Sequence, residues 1–239
     1  MEPFHQDIYR IASPPLEETH LEGDDIVHSF GFGYDHLTET YKVVAVFFEE
    51  NELESEIMVH TVGTDYWRRI EEEFPGLPED NSGKFVSGTI NWITFANAMW
   101  YVIVSFDLGK ESCHQLCLPA ELEDGFILGV LRDCLCVFSE NDMFCDIWVM
   151  KEHGNEESWT KLFSISHDLG RNPPLYISED DDEVLLPSFS NLVVCNYEYI
   201  CDMVFKIFDI QNSRVWMLPK ILDEPEVYAE SLISPCPLY

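Results

Sequence analysis

Reactive side chains are plentiful in this chain, yet their spacings are those of structure rather than of chemistry. Gly31-Phe-Gly33 has the first two glycines of a dinucleotide-binding turn. That fingerprint needs a third glycine opening a helix, and Tyr34-Asp35 and a turn follow instead. The glycines read as points where strands pack closely. Asp180, Asp181, Asp182 and Glu183 form an acidic run. A calcium loop alternates its ligands and turns on a glycine at position six, whereas contiguous acids diverge, so the run reads as a solvated connection. Cys134 and Cys136 lie two apart on one face of a strand, with no second pair at zinc spacing. Cys113 adjoins His114, but strand neighbours point to opposite faces. A thiolate–imidazole pair would need a histidine brought in by the fold, such as His153 or His167. No catalytic, metal or cofactor-binding residue is assigned, and the chain reads as a non-enzyme.

The elements that carry these residues repeat. Four times an apolar strand enters a short polar turn and leaves on a second strand: from Ile57, Val102, Ile147 and Val204. Trp67, His114, Trp159 and Trp216 fall at equivalent places after the turn, roughly 45 to 57 residues apart, the length of a kelch-like propeller blade. A single small sheet cannot bury its faces, and stacked copies can, so the three tryptophans read as packing between blades rather than as ligand-stacking residues. HSFGFGYD and YKVVAVFFE flank HLTET as a hairpin; IMVHTV and YWRRI complete the first unit after the charged ENELESE. GKFVSG, INWITF, VIVSFDL and HQLCL make the second. FILGVL and CLCVFS, joined by Arg132-Asp133, precede DIWVMKE and WTKLFSI in the third. The fourth begins near PPLYIS and continues with VLLPSF, LVVCNY, MVFKIFDI and VWMLP. Arg68 to Glu73 could seed a short helix before Pro75 and Pro78 stop it. The fold class expected is all-β: an incomplete kelch-like β-propeller of about four four-strand blades, closed by a C-terminal strand at Val227–Ile233 that meets residues 4–12 or 28–34. Residues 1–27 read as an N-terminal loop or remnant strand, and 28–239 as the propeller-like domain.

Composition narrows the function. The 239 residues are 46% apolar, enough for a packed core. Thirteen lysines and arginines face 45 acids, a formal charge of −32. Such a surface repels phosphate backbones and anionic bilayers, so neither nucleic acid nor membrane is an expected partner. No run approaches the roughly 20 apolar residues of a membrane span. Most of the eight cysteines sit within apolar strands, as free thiols do in a reducing intracellular compartment, cytoplasmic or nuclear.

Seven strings in order identify a resemblance: GFGYDHLTETYKVVAVF, GTDYWRRIEEEFP, GKFVSGTINW, IVSFDLGKES, LGVLRDCLCVF, DIWVMKEHGNEESWTKLFSI and EVYAESLISPC. From about residue 28 to the C-terminus the chain resembles the type 1 F-box-associated domain of plant F-box proteins, similar in architecture to kelch propellers. The resemblance implies a protein-binding, substrate-recognition domain of a Skp–Cullin–F-box ubiquitin ligase receptor. The family's N-terminal F-box and its Trp-Asn-Pro stretch have no counterpart here, so the chain is expected to be a truncated member that reaches the Skp–Cullin ligase only if an F-box is supplied upstream. The target protein is unidentified. Binding is expected on loops at one end of the strands: Glu49–Glu56, Phe95–Trp100, Glu140–Cys145 and Asn196–Asp202. The alternatives are a non-functional or decoy fragment and, further off, a propeller hydrolase, which would need facing carboxylates or a metal in a channel.

Overall fold

Runs rich in Val, Ile, Phe and Trp, punctuated every few residues by Gly, Asp and charged pairs, favour short antiparallel strands over helices. The computed structural model describes residues 26–49, 55–96, 100–122, 125–140, 144–166, 176–177, 183–195, 198–209 and 214–217. They form four sheets. Sheet A contains β1 (Ile26–Asp35), β2 (Thr40–Glu49), β3 (Ser55–Thr61) and β4 (Trp67–Ile70). Sheet B contains β5 (Leu77–Pro78), β6 (Lys84–Val86), β7 (Thr89–Ala96), β8 (Trp100–Asp107) and β9 (Ser112–Leu116). Sheet C contains β10 (Phe126–Leu131), β11 (Cys134–Glu140), β12 (Phe144–Met150) and β13 (Trp159–Ser166). Sheet D contains β14 (Tyr176–Ile177), β15 (Glu183–Cys195), β16 (Glu198–Asp209) and β17 (Arg214–Met217). In sheets A, C and D spatial order follows chain order, as in a meander. Among the described residues the only helix is one 3₁₀ turn at Glu156–Ser158, capped by the Asn155 side chain. The all-β expectation therefore holds.

Two compact units divide the chain: residues 1–141 with 146–164, and residues 142–145 with 165–239. The first holds sheets A and B and most of C; the second holds sheet D. Within the first, the middle strands are buried on both faces, and alternate residues serve different neighbours. Ile90 and Trp92 of β7, with Val102, Val104 and Phe106 of β8, pack against Val44, Val46, Ile57 and Val59 of sheet A. Residues of the opposite alternation, Ile93 and Ile103, pack against Leu128, Leu135, Val137 and Met150 of sheet C. Each fully buried side chain of this size contributes about 1.5–3 kcal/mol.

β1 is stitched to sheet B across a short segment between β5 and β6. The amide of Phe30 donates to the Asn81 carbonyl (3.1 Å) and the amide of Gly83 to the Phe30 carbonyl (2.7 Å). The buried Trp92 Nε1–H donates to Ser29 Oγ (2.9 Å), whose hydroxyl donates to the Asp80 carbonyl (2.7 Å). The Gly31-Phe-Gly33 spacing has its explanation here. A Cβ on Gly31 would lie 2.3 Å from Ile90 Cγ2 and 2.9 Å from the Trp92 ring, and one on Gly33 would lie 2.3 Å from Phe85 Cδ2.

Three expectations are corrected. Arg68–Ile70 are strand, not helix, because β4 pairs with β3 from Ile57↔Ile70 to His60↔Trp67. VLLPSF and LVVC are one strand, β15, whose register against β16 shifts between Ser190 and Val193. The N-terminal part of β16 reaches back to Glu198, so ladder pairing absorbs residues that read as a connection. The expected closing strand at Val227–Ile233 and its partners at 4–12 lie outside the described residues. Gly31→Ala tests the stitch directly. Overpacking against two buried side chains should cost about 1–3 kcal/mol and lower the thermal midpoint by several degrees. An unchanged midpoint would show slack between β1 and sheet B.

Candidate functional site

Antiparallel meanders place first-to-second and third-to-fourth turns at one end of the strands and second-to-third turns at the other. The first end is rich in fixed charge. Lys42, 5% exposed, lies at the start of β2. Its Nζ meets Asp35 Oδ2 (2.8 Å), Glu111 Oε1 (3.0 Å) and the Leu108 carbonyl (2.8 Å). Glu111 also takes Arg68 (2.5 Å). Asp35 caps its own turn, accepting from the Leu37 amide and the Thr38 hydroxyl. Burial would push the Asp35 carboxyl up, but Lys42, Thr38 and the Leu37 amide outweigh it and hold it at about 2. Burial likewise opposes the Lys42 charge, and Asp35 and Glu111 overcome it, raising Lys42 above the ordinary lysine value. This cluster joins sheets A and B. It is saturated with partners, which is what a structural clamp needs and a catalytic group does not.

On the same side, Thr89 Oγ1 and His153 Nε2 lie 2.9 Å apart, linking β7 to the β12–β13 turn. Burial lowers His153 below its ordinary value. Three of the described cysteines lie in surroundings that disfavour the thiolate. Burial, with Glu72 nearby, pushes Cys113 to about 12, its bond to Glu156 raises Cys117, and burial drives Cys136 far up. A low-pKa thiol needs the opposite surroundings. Cys113, Cys117, Cys134, Cys136 and Cys145 are all free thiols. Among the described residues no group of three or more His, Cys, Asp or Glu converges as a metal site.

The opposite end carries a hollow of about 340 Å³ lined by Glu79, Asp80, Ile93, Tyr101, Gly125 and Phe126. Two ladders explain it. From Pro78↔Thr94 to Lys84↔Asn91 the edge strand advances six residues while β7 advances three. The surplus bulges out of the sheet and carries Glu79 and Asp80 with it. Glu79 stays tethered by its amide to the Ile93 carbonyl (3.0 Å). The rings of Tyr101 and Phe126 stand perpendicular with centroids 5.0 Å apart, and the Phe95 ring, tilted by 50°, has its centroid 4.9 Å from that of Tyr101.

The four loops expected to bind a partner turn out to share one position. Each joins the two inner strands of its sheet: β2–β3, β7–β8, β11–β12 and β15–β16. Glu49, Ser55 and Glu56, then Phe95, Ala96 and Trp100, then Glu140, Phe144 and Cys145, and Glu198–Asp202 all belong to strands, so all four loops are shorter than expected. Their tips at 50–54, 97–99, 141–143 and 196–197 lie outside the described residues. Asp180–Asp182 and His167 do too, while Glu183 opens β15.

A repeated four-strand sheet can belong to many proteins, and the sequence comparisons choose among them. The profile of the F-box associated beta propeller domain matches residues 12–235. The chain belongs to that family. It is 32% identical over 238 residues to an Arabidopsis thaliana F-box/kelch-repeat protein, covering 95% of this chain and 60% of the relative. It is 25% identical over 237 residues to the Arabidopsis F-box protein CPR1, covering 85% and 54%. A further Arabidopsis F-box protein is 26% identical over 77% of the chain and 54% of its own length. The chain thus spans somewhat more than half the length of these relatives.

For an F-box associated beta propeller domain, the repeated aromatic position is instructive. Trp67, His114, Trp159 and Trp216 all fall on the last strand of their sheets. Trp159 does join sheets, packing on the cluster between B and C and donating from Nε1 to the Cys117 carbonyl (3.0 Å). Trp67 instead packs on Ala45, Phe47 and Met58 of its own sheet, and His114 is exposed. Glu79, Asp80, Tyr101 and Phe126 escaped the sequence reading. Their signal is the Pro75-Gly-Leu-Pro78 punctuation, which marks a strand that cannot run straight into β6.

The charge clamp yields a prediction. A depressed carboxylate contributes stability that is present above its unfolded value near 3.9 and lost as pH falls through its folded value of about 2. Asp35 thus supplies about 2 kcal/mol at neutral pH through its own titration. Lys42→Met strands that buried charge and should cost about 3–5 kcal/mol at pH 7. The deficit should shrink towards pH 3, where Asp35, no longer held down by Lys42, takes up a proton. Denaturant melts at pH 7 and pH 3 measure this; a deficit constant across that window would uncouple Asp35 from Lys42.

Proposed function

We propose that this chain is the target-recognition part of an F-box-type ubiquitin ligase receptor. Family membership across residues 12–235 carries the reading. Two properties support it: a rigid scaffold of sheets packed on both faces, and turns gathered at the strand ends where rigid scaffolds carry recognition. The domain works by holding a protein, not by transforming it. In this reading the Skp–Cullin assembly is engaged by an F-box N-terminal to the 239 residues, and the domain acts inside the cell, in cytoplasm or nucleus. No helix among the described residues is long and apolar enough to cross a membrane.

The test is a fusion. The F-box segment of the Arabidopsis F-box/kelch-repeat relative is placed ahead of this chain, and ubiquitylated proteins in Arabidopsis cells are compared with those produced by the F-box segment alone. A small set of proteins should be modified only with the fusion and should bind the purified chain directly. Identical modification profiles for the two would overturn the receptor reading.

A further inference from the structure

We propose that the hollow between Glu79 and Phe126 receives a lysine or arginine side chain of the partner polypeptide. The inference rests on the target-binding reading and specifies its chemistry. Three observations converge on it. Tyr101 and Phe126 pack edge to face, ring centroids 5.0 Å apart, and together line one aromatic side of the hollow. A cation within about 6 Å of a ring face is attracted by the ring quadrupole. The bulge between β5 and β6 then adds two carboxylates, Glu79 and Asp80, beside those rings. Neither forms an ion pair with a described lysine or arginine. The hollow lies at the small end of the ligand-pocket range of roughly 300–1,000 Å³, a size for one long side chain rather than a drug-like molecule.

Charge decides between occupants. A neutral apolar side chain would desolvate Glu79 and Asp80 with nothing to repay them. An anion would meet both carboxylates and the field of a chain of net charge −32. A cation with an aliphatic stem suits both kinds of wall: the stem against the rings of Tyr101 and Phe126, the head towards Glu79 and Asp80. The rim is also held in advance of binding. Asp80 is fixed through its carbonyl by Ser29, and Ser29 by the indole of Trp92. Glu79 is fixed through its amide by Ile93. A preorganised site loses less entropy on binding.

The probes are Gly/Ser peptides of equal length carrying two lysines, two arginines, two norleucines or two glutamates, each with a neutral dye and read by fluorescence anisotropy. The lysine and arginine peptides should bind, and the norleucine and glutamate peptides should not. Glu79→Gln with Asp80→Asn, and separately Tyr101→Leu, should each weaken binding about fivefold or more, while Tyr101→Phe keeps it. Glu39→Gln with Glu157→Gln removes the same charge from turns outside the hollow and should change binding less than twofold. Melting curves confirm that each variant is folded; if Tyr101→Leu is not, the carboxylate pair and Tyr101→Phe decide. Equal weakening by both charge-removing pairs would reduce the effect to general electrostatics and overturn the site. Equal binding of the norleucine peptide would overturn the cationic occupant, and so would no binding at all. Failure here leaves the fusion result standing, and failure of the fusion leaves peptide selectivity standing.

Discussion

One hydroxyl governs how the first two sheets meet. Ser29 accepts from the Trp92 indole and donates to the Asp80 carbonyl. Trp92 is among the largest fully buried side chains, and its N–H would otherwise be an orphan donor in a dry interior. Filling the space between sheets A and B with an indole therefore obliges the chain to bring an acceptor to it. That acceptor sits on β1, two residues before Gly31, which leaves room for the ring. The same hydroxyl holds the irregular segment between β5 and β6, so the packing of the core and the shape of the surface hollow have a common support.

At the other end the support is ionic. Lys42 brings one ammonium to two carboxylates and a carbonyl in a region with little water, which is acceptable only because every partner is satisfied. Arg68, Arg69, Lys110 and Lys161 are likewise engaged with carboxylates. A chain with 13 cations thus spends at least five of them on its own acids. The acidic excess that composition reports is felt outside the protein, by whatever approaches it.

Strand positions were largely legible because hydrophobic alternation is local: HSFGFGYD, YKVVAVFFE, INWITF and CLCVFS all became strands within a few residues of their expected limits. Arg132 and Asp133 both adopt positive φ, 51° and 56°, as a tight hairpin turn demands. The failures are non-local. Arg68–Glu73 has helical propensity, and ladder pairing with β3 overrode it. The hollow depends on a register difference between two edge strands and on rings from separate sheets, neither of which a single segment encodes. The four loops expected to face a partner share one place because each follows an inner strand of its sheet, and strand pairing shortens all of them.

The way β7 and β8 divide their side chains has a bearing on inheritance. Ile90, Trp92 and Val104 answer to sheet A, while Ile93 and Ile103, one residue away on the same strands, answer to sheet C. Volume lost at an even position of β7 is best restored by a change in one neighbouring sheet, and volume lost at an odd position by a change in the other. A strand of eight residues therefore carries two interleaved lineages of compensating substitution, each readable in its own partner and nearly silent in the other.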